Sequence, residues 1–335
     1  MVKKLIYFFI LFPLLTYGSS SDLEKSYDEV MTIFNTDDYM ATKLAALEVL
    51  DQAKEIQDYY HMCKLYYLLG YISEYSDDFG KAIIYYLEGS RYGQLSSEPN
   101  IHKTVISIHK NLATVLGDYK HYRLAYKFID EGVQIALENG LNSQVESLLN
   151  NKTHELLEEE NYQGALELID SMRVHFPNIS KSRQVALNNK EGVAYHNLDQ
   201  FDKALESYFK VISDSTSSGM DVYAICLQNI GSIYRKTGNN SDALDKYRSS
   251  ITYCKAHDFS RWLFEGYQLI GETFEAMNMS DSSLFYFHKA IELVENGDQD
   301  AVSYEVYHLA SQVYSRRGDY KTALKYKELY SIRLE

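Results

Sequence analysis

The feature of this sequence that most limits its fold is a small residue that recurs about every 40 positions. In all copies but the last, a large aliphatic or aromatic residue follows it four positions later. The intervals between successive copies are 43, 40, 39, 39, 40 and 40 residues. A regular period between 20 and 50 residues indicates an array of one repeated supersecondary unit. The seven copies are Ala82, Ala125, Ala165, Ala204, Ala243, Ser283 and Ala323.

A second small residue stands twelve positions before each of these markers, within an apolar helical pattern. Where it is glycine, it costs about 1 kcal/mol relative to alanine in a helix. Close packing of two helices explains this cost, with aromatic side chains filling the space above and below. Gly238 and Gly318 fall between the halves of their units, where a tight turn needs a permissive backbone. The seven small residues are Gly70, Ala113, Thr153, Gly192, Gly231, Gly271 and Ser311.

The composition agrees with packed helices. The chain of 335 residues is 45% hydrophobic and 24% charged, and it contains 31 tyrosines but only 3 prolines. So few prolines leave little disordered linker and few of the turns that sheets require, and we therefore predict an all-α fold. The net charge of −14 argues against nucleic acid as a partner of this chain alone, because a polyanion would be repelled.

Three segments carry the pattern of small residue, aromatic, turn, alanine and aromatic, with a gap in one of them: "LGYISEYSDDFGKAIIYYLEG", "IGSIYRKTGNNSDALDKYRSS" and "ASQVYSRRGDYKTALKYKELY". They resemble tetratricopeptide repeats. The family's usual unit has 34 residues, and the longer units here resemble those in the periplasmic sensor half of bacterial transcriptional regulators. The resemblance implies a right-handed superhelical α-solenoid of helical hairpins. Residues 59–335 would form about seven repeats, and residues 21–58 a degenerate hairpin that caps the array.

The first 20 residues have the layout of a secretory signal peptide. Lys3 and Lys4 precede an apolar run from Leu5 to Leu15, and small residues follow. This run is shorter than the roughly 20 residues needed to span a bilayer, and Pro13 interrupts it. We therefore expect cleavage of residues 1–20, no membrane span in the mature chain, and export to the periplasm or the exterior of a Gram-negative bacterium.

The cysteines and the C-terminal end leave alternatives open. Three cysteines are too few for a disulfide framework. Cys226 and Cys254 fall near the same end of one hairpin, which is compatible either with one disulfide or with small buried side chains. The sequence stops at Glu335, near the end of the second helix of its last unit, without the polar terminal helix that such arrays usually have. A homodimer contact through this end is one way to cover it.

The resemblance places the binding surface in a concave groove lined by the first helix of each hairpin. Asparagine and glutamine carry both donors and acceptors, so a row of them can pair with the backbone of an extended peptide without demanding one sequence. Each position is also compatible with a solvated side chain without function, and the tyrosines with helix packing. The candidate groove residues are Lys64, Tyr67, Tyr71, Asn150, His154, Asn189, His196, Gln228, Arg235, Lys236 and Gln268.

The chemistry of these positions favours binding. Arg235 and Lys236 form a local basic spot suited to a carboxylate, although Thr114 stands where the family's carboxylate clamp has asparagine. "HELLE" at His154 lacks the second histidine of a zinc-protease helix, and the sequence has no nucleophile elbow or phosphate loop. We expect no enzyme activity, no cofactor and no metal. The sequence favours an exported scaffold that binds a peptide or protein. The alternative is the sensor half of a truncated or split membrane-spanning signalling regulator.

Overall fold

The computed structural model describes residues 20–213, 220–296 and 304–334, and all regular secondary structure in these ranges is α-helix. The predicted all-α class is confirmed. The chain divides into two compact units, Met1–Glu159 (unit 1) and Glu160–Glu335 (unit 2), a division that the repeat spacing does not indicate. The proposed signal peptide falls outside the described residues except at its last position. No helix within the described ranges is long and apolar enough to cross a membrane.

Within each unit, helices that follow one another along the chain pack against each other as hairpins. In unit 1 they are α1 (Ser20–Phe34), α2 (Tyr39–Glu55), α3 (Tyr59–Tyr75), α4 (Phe79–Leu95), α5 (Ile101–Asp118), α6 (Tyr122–Glu138) and α7 (Asn142–Glu158). In unit 2 they are α8 (Tyr162–His175), α9 (Lys181–Asn197), α10 (Phe201–Ser213), α11 (Met220–Lys236), α12 (Asn240–His257), α13 (Ser260–Ala276), α14 (Ser280–Glu295), α15 (Glu305–Arg316) and α16 (Tyr320–Leu334).

The turn inside a hairpin needs one residue with a left-handed backbone. Gly238 and Gly318 supply it with φ of +84° and +80°, which confirms the role expected for these two glycines. Other turns place a non-glycine residue there, such as Asp77 at φ +56° and Lys120 at φ +61°. This conformation costs an L-residue roughly 1 kcal/mol or more. After Asp77, the next residue Asp78 caps the following helix by accepting from the backbone N–H of Lys81 at 3.3 Å, whereas His121 after Lys120 makes no side-chain cap.

The four glycines that stand twelve positions before a marker each lie directly under an aromatic ring of the second helix. A Cβ atom on Gly70, Gly192, Gly231 or Gly271 would lie within 2.5 to 2.6 Å of a ring carbon of the residue sixteen positions later, which is Tyr86, Tyr208, Tyr247 or Phe287. The expected close approach is therefore confirmed, but the ring sits on the glycine and not above and below it. Where the first helix has Ala113, the matching residue is Ile129, and both are fully buried. The two helices are thus matched in side-chain size, with an aromatic ring facing glycine and isoleucine facing alanine.

Buried polar groups also fix the hairpins. His109 of α5 is 1% exposed, and its Nε2 lies 2.8 Å from Oγ of Ser90 on α4. Burial lowers the pKa of His109 to about 4, so this ring is neutral at pH 7. In unit 2, Arg173 donates to both carboxylate oxygens of Glu191 at 2.6 and 3.1 Å, and Ser207 Oγ donates to the same group at 2.8 Å. Burial alone would raise the pKa of Glu191, but these hydrogen bonds outweigh it and lower the pKa.

Candidate binding face

The first helices of successive hairpins contact one another. In unit 1 these contacts join α1 to α3, α3 to α5 and α5 to α7; in unit 2 they join α9 to α11 and α11 to α13. We call the surface that these helices form in each unit the first-helix face. Because a helix is rigid and its side chains project at fixed intervals, groups on this face hold defined spacings.

Several side-chain contacts between neighbouring hairpins on this face follow one register. Residues 37 positions apart meet, which is three fewer than the usual repeat of 40. His61 Nε2 lies 2.7 Å from the Glu24 carboxylate, and Asn151 Nδ2 donates to Thr114 Oγ1 at 3.4 Å. The face is therefore connected laterally by polar contacts as well as by packing.

Lys64 and Tyr71 lie where α1 packs on α3. The Lys64 ammonium is 3.8 Å from the ring centroid of Tyr27 and 4.8 Å from that of Tyr60, and burial lowers the pKa of this lysine. Its charge is therefore engaged by aromatic rings within unit 1. Tyr71 packs edge-on against Phe34 at 5.9 Å but keeps 37% of its surface exposed. Of this pair, Tyr71 is the one that presents an open surface.

A connected polar group occupies the middle of the same face, and we call its members Tyr67, Glu74, Tyr86 and Asn111 the Glu74 cluster. The Tyr86 hydroxyl donates to the Glu74 carboxylate at 2.6 Å and accepts from Asn111 Nδ2 at 3.1 Å. Burial raises the pKa of half-buried Tyr67, while the neighbouring Ser107 and Asn111 side chains oppose this shift. Burial raises the pKa of Glu74, and the hydrogen bond from Tyr86 opposes this shift only in part. The cluster joins two hairpins and fixes a carboxyl, an amide and two phenols.

Two candidate residues lie on α7, the first helix that packs next to α5. Asn150 is half-buried, and His154 is exposed. His154 acts on Asp118 of α5, whose pKa is raised by loss of hydration and lowered by this histidine. Tyr67 and Tyr71 of α3 and Asn150 and His154 of α7 thus all lie on first helices of unit 1.

In unit 2, Gln228 is not a groove residue, which corrects the sequence expectation. Its side chain is 3% exposed, and Nε2 donates to the backbone carbonyl of Trp262 at 2.7 Å and to Ser250 Oγ at 3.2 Å. The amide thus satisfies buried groups between α11, α12 and α13. Asn189 is half-buried, and its Oδ1 accepts from the Cys226 thiol at 3.3 Å.

The predicted basic spot is largely neutralised inside unit 2. Arg235 Nη1 donates to Glu272 Oε2 at 3.0 Å, and Gln268 Nε2 donates to the other oxygen of the same carboxylate at 2.9 Å. Arg235 is therefore already paired with a carboxylate of its own unit. Lys236 is exposed; its Nζ lies 4.0 Å from Asp199 and 5.8 Å from the Phe201 ring.

His196 completes the unit 2 candidates. It is half-buried, and its ring packs edge-on to Phe201 at 6.1 Å. Burial, with a smaller contribution from Lys236, lowers the pKa of His196 to about 4. All three cysteines are free and buried, so Cys226 and Cys254 are not joined. Among the residues that the structure describes, no group of three or more His, Cys, Asp or Glu side chains is placed to hold a metal ion.

One carboxylate of the face, Glu74, escaped the sequence analysis. It stands at the centre of the polar contacts of unit 1, but the candidate residues were chosen as amides, tyrosines and basic side chains. A search for opposite charges 37 residues apart would have found Glu272 opposite Arg235.

The fold and this face define a helical-repeat protein. Residues 226–255, which span most of α11 and α12, match a family model described as Tetratricopeptide repeat. These residues are thus similar to a tetratricopeptide repeat, and the architecture of the chain is that of a helical-repeat protein.

Solved structures support the same fold. The apo form of the quorum sensor NprR from B. thuringiensis superposes with a TM-score of 0.68 at 14% identity, over 93% of this chain and 87% of that one. A tetratricopeptide repeat protein from Parabacteroides merdae gives a TM-score of 0.60 at 15% identity, over 84% and 100%. A Rap protein complexed with Competence and Sporulation Factor gives 0.53 at 13%, over 94% and 98%. A comparison with curated proteins returned no match.

Proposed function

We propose that this chain is a non-catalytic scaffold that binds an extended peptide segment, or the tail of a partner protein, along the first-helix face of unit 1. The observation that carries the proposal is the Glu74 cluster. The buried Tyr86 hydroxyl holds the half-buried Glu74 carboxyl and Asn111 amide by hydrogen bonds between two hairpins, so a ligand would meet a carboxyl and an amide whose positions are already set. Exposed Tyr71 adds an aromatic surface next to them.

The corresponding face of unit 2 is less suited to this task. There the amide of Gln228 is buried, and the charge of Arg235 is balanced by Glu272. A ligand would have to break these contacts and leave buried groups unpaired, which costs about 1 to 3 kcal/mol for each group. This difference supports unit 1 as the binding unit.

The descriptions of the similar structures agree with a binding role. NprR is described as a quorum sensor, and the Rap structure contains Competence and Sporulation Factor. At 13 to 14% identity these proteins share the fold, and their binding activities support our proposal only by analogy.

A peptide library displayed on phage tests the proposal. The full chain is used for selection, and enriched peptides are then measured against Y71A/N150A, with L87A as the control. Leu87 lies on α4, a second helix, and is 44% exposed. We expect selected peptides to lose at least tenfold in affinity with the double variant and to bind L87A as they bind the unaltered chain. Equal binding to all three proteins would refute the assignment of the face.

A sensor role is the second candidate, and the description of NprR as a quorum sensor favours it. In that case the chain would work with a membrane-spanning signalling regulator. A transmembrane segment encoded directly downstream and a transcriptional response that disappears with the Y71A/N150A variant would support the sensor role. A response unaffected by this variant would argue against it.

We also propose that the protein is exported, on the evidence of the charged and apolar pattern in residues 1–20. Mass spectrometry of the protein from its native host decides this point. A mature N-terminus close to Ser20 supports export, and an intact Met1 contradicts it.

The last helix supports a further proposal, a homodimer contact through α16. Leu324 and Ile332 on this helix are 58% and 68% exposed. Sedimentation of the full chain should show a dimer that L324E dissociates, since burial of a charge in an apolar contact is unfavourable. A monomer at all concentrations would refute the contact.

A further inference from the structure

The first helices of unit 1 end in a repeated arrangement of carboxylates and tyrosines. Helix α3 ends with Glu74 and Tyr75, and α5 ends with Asp118, followed by Tyr119; α7 ends with Glu158. Tyr75 is 64% exposed and Tyr119 is 53% exposed, so both rings present an open surface. We call these five residues the acidic edge.

Each tyrosine ring of the acidic edge packs against an aromatic ring of another helix. Tyr75 packs against Tyr39 with ring centroids 4.4 Å apart, and Tyr119 packs edge-on against Phe79 at 5.7 Å. Both supports come from the first residue of a second helix. The exposed ring faces are therefore held in place and do not need to be ordered by a ligand.

The carboxylates of this edge act on one another. Burial raises the pKa of Glu74, and the charge of Asp118 raises it further. The pKa of Asp118 is itself raised by loss of hydration and by Glu158, while His154 opposes these shifts. Like charges that raise each other's pKa repel, and a bound cation would relieve this repulsion.

Helix dipoles add to the negative potential. The C-terminal end of a helix carries a partial negative charge, which basic residues in the last turn commonly balance. Helices α1, α3, α5 and α7 have no basic residue in their last turn. Two lysines stand in the adjoining sequence: Lys81 pairs with Asp78, and Lys120 lies in the turn after α5. The C-terminal ends of these four helices therefore have no basic side chain in the last turn to balance the negative partial charge of the helix dipole.

Unit 2 has basic residues at three of its four equivalent helix ends. There α9 ends with His196 in its last turn, α11 with Arg235 and Lys236, and α15 with Arg316. Helix α13 has no basic residue in its last turn, but its Glu275 pairs with Arg316 of α15. The fold does not therefore require acidic helix ends. Their presence in unit 1 is a property of this sequence that calls for a ligand of opposite charge.

We propose that the acidic edge binds an extended basic segment of a partner protein, with an arginine or lysine at every third position. This inference rests on the proposed function, since it names the ligand chemistry of the same face. Neighbouring packed helices lie about 8 to 10 Å apart. A polyproline II segment advances about 3.1 Å per residue with three residues per turn, so positions i, i+3 and i+6 share one side at intervals of about 9 Å. Three such cations reach Glu74, Asp118 and Glu158, and tyrosine rings lie beside them for cation–π contact.

Fluorescence anisotropy of the full chain with three labelled dodecapeptides tests this geometry. The first peptide repeats Arg-Pro-Pro four times, and the second has the same composition with its four arginines adjacent. The third repeats Glu-Pro-Pro. We expect the spaced arginine peptide to bind about tenfold more tightly than the clustered one, because three exposed charge contacts each contribute a modest amount. The acidic peptide should not bind, and affinity for the spaced peptide should fall as salt increases.

Variants place the binding on the edge. E74Q/D118N/E158Q should lose the preference for the spaced peptide, whereas D242N, which removes an exposed carboxylate on α12, should keep it. Equal affinity for the spaced and clustered peptides, or a preference that survives the triple variant, would overturn the inference. If library peptides without basic residues still depend on Tyr71, the proposed function stands and only the ligand chemistry fails. If no peptide depends on Tyr71, both fail.

Discussion

The contact between Gly231 and Tyr247 allows a quantitative test of the hairpin packing. In Gly231→Ala the new Cβ would lie 2.6 Å from Cε1 and 2.8 Å from Cδ1 of the Tyr247 ring. Carbon atoms in contact normally lie about 3.5 to 4.0 Å apart, so the ring or the helix must move by about 1 Å. Overpacking of this kind costs about 1 to 3 kcal/mol, and the better helix propensity of alanine returns about 1 kcal/mol. We expect a net loss of about 1 kcal/mol.

A second substitution should rescue the first. The pair of Ala113 and Ile129 shows the size match that this fold uses when the first helix carries alanine. Tyr247→Ile on its own leaves a cavity beside Gly231 and should be destabilising by about 1 to 3 kcal/mol. In the double variant the alanine methyl fills part of that cavity. The two effects should therefore be non-additive, with the double variant at least 1 kcal/mol more stable than their sum.

Urea unfolding followed by far-ultraviolet circular dichroism measures these differences. Gly80→Ala on α4 is the control, because nothing lies within 4 Å of its new Cβ. It should gain the helix propensity alone and be more stable than Gly231→Ala by about 1 to 3 kcal/mol. The packing account would be refuted if Gly231→Ala were as favourable as Gly80→Ala, or if the double variant were additive within about 0.5 kcal/mol.

Three further predictions concern the turns and the buried polar groups. Lys120→Gly should stabilise unit 1 by about 1 kcal/mol in urea unfolding, because φ is +61° there. The pKa of His109 is about 4, below the ordinary value near 6.5, so the unfolded chain binds more protons as the pH falls. Stability attributable to His109 should be complete above pH 6.5 and decrease by up to about 3 kcal/mol towards pH 4, and His109→Gln should flatten this dependence. Arg173→Ala should destabilise the protein by about 2 to 3 kcal/mol, because it leaves the buried Glu191 carboxylate without its cation, and thermal unfolding at pH 7 checks this. An unchanged midpoint would contradict it.

The repeat architecture follows from the sequence because its signals are local. Three residues of each unit define the packing of its two helices: a small residue, a marker twelve positions later and a large residue four positions after the marker. Their spacing determines which helices pack together and which residues meet along the helix axes. Gly231 and Tyr247 illustrate this, since their contact distance is set by a fixed interval of sixteen residues. The turn glycines Gly238 and Gly318 were also predictable from the sequence, because a left-handed backbone favours glycine.

The candidate site was harder to predict because it depends on how the helices are rotated and shifted. Gln228 and Gln268 occupy equivalent positions forty residues apart, yet one is buried and the other reaches Glu272 on the face. The difference arises because Gln228 finds a backbone carbonyl at Trp262 and a hydroxyl at Ser250 between its neighbours. Such partners lie on other helices, so the spacing within one repeat does not reveal them.

The most direct test of the central claim is photo-crosslinking from defined positions. A benzophenone amino acid replaces Tyr71 on the first-helix face of unit 1 in one protein and Leu87 on α4 in another; these side chains are 37% and 44% exposed, so accessibility is similar. Library-selected peptides are irradiated with each protein, and the products are identified by mass spectrometry. We predict crosslinks from position 71 that unlabelled peptide suppresses, and none from position 87. Crosslinks of equal yield from both positions, or from position 87 alone, would contradict binding on the first-helix face.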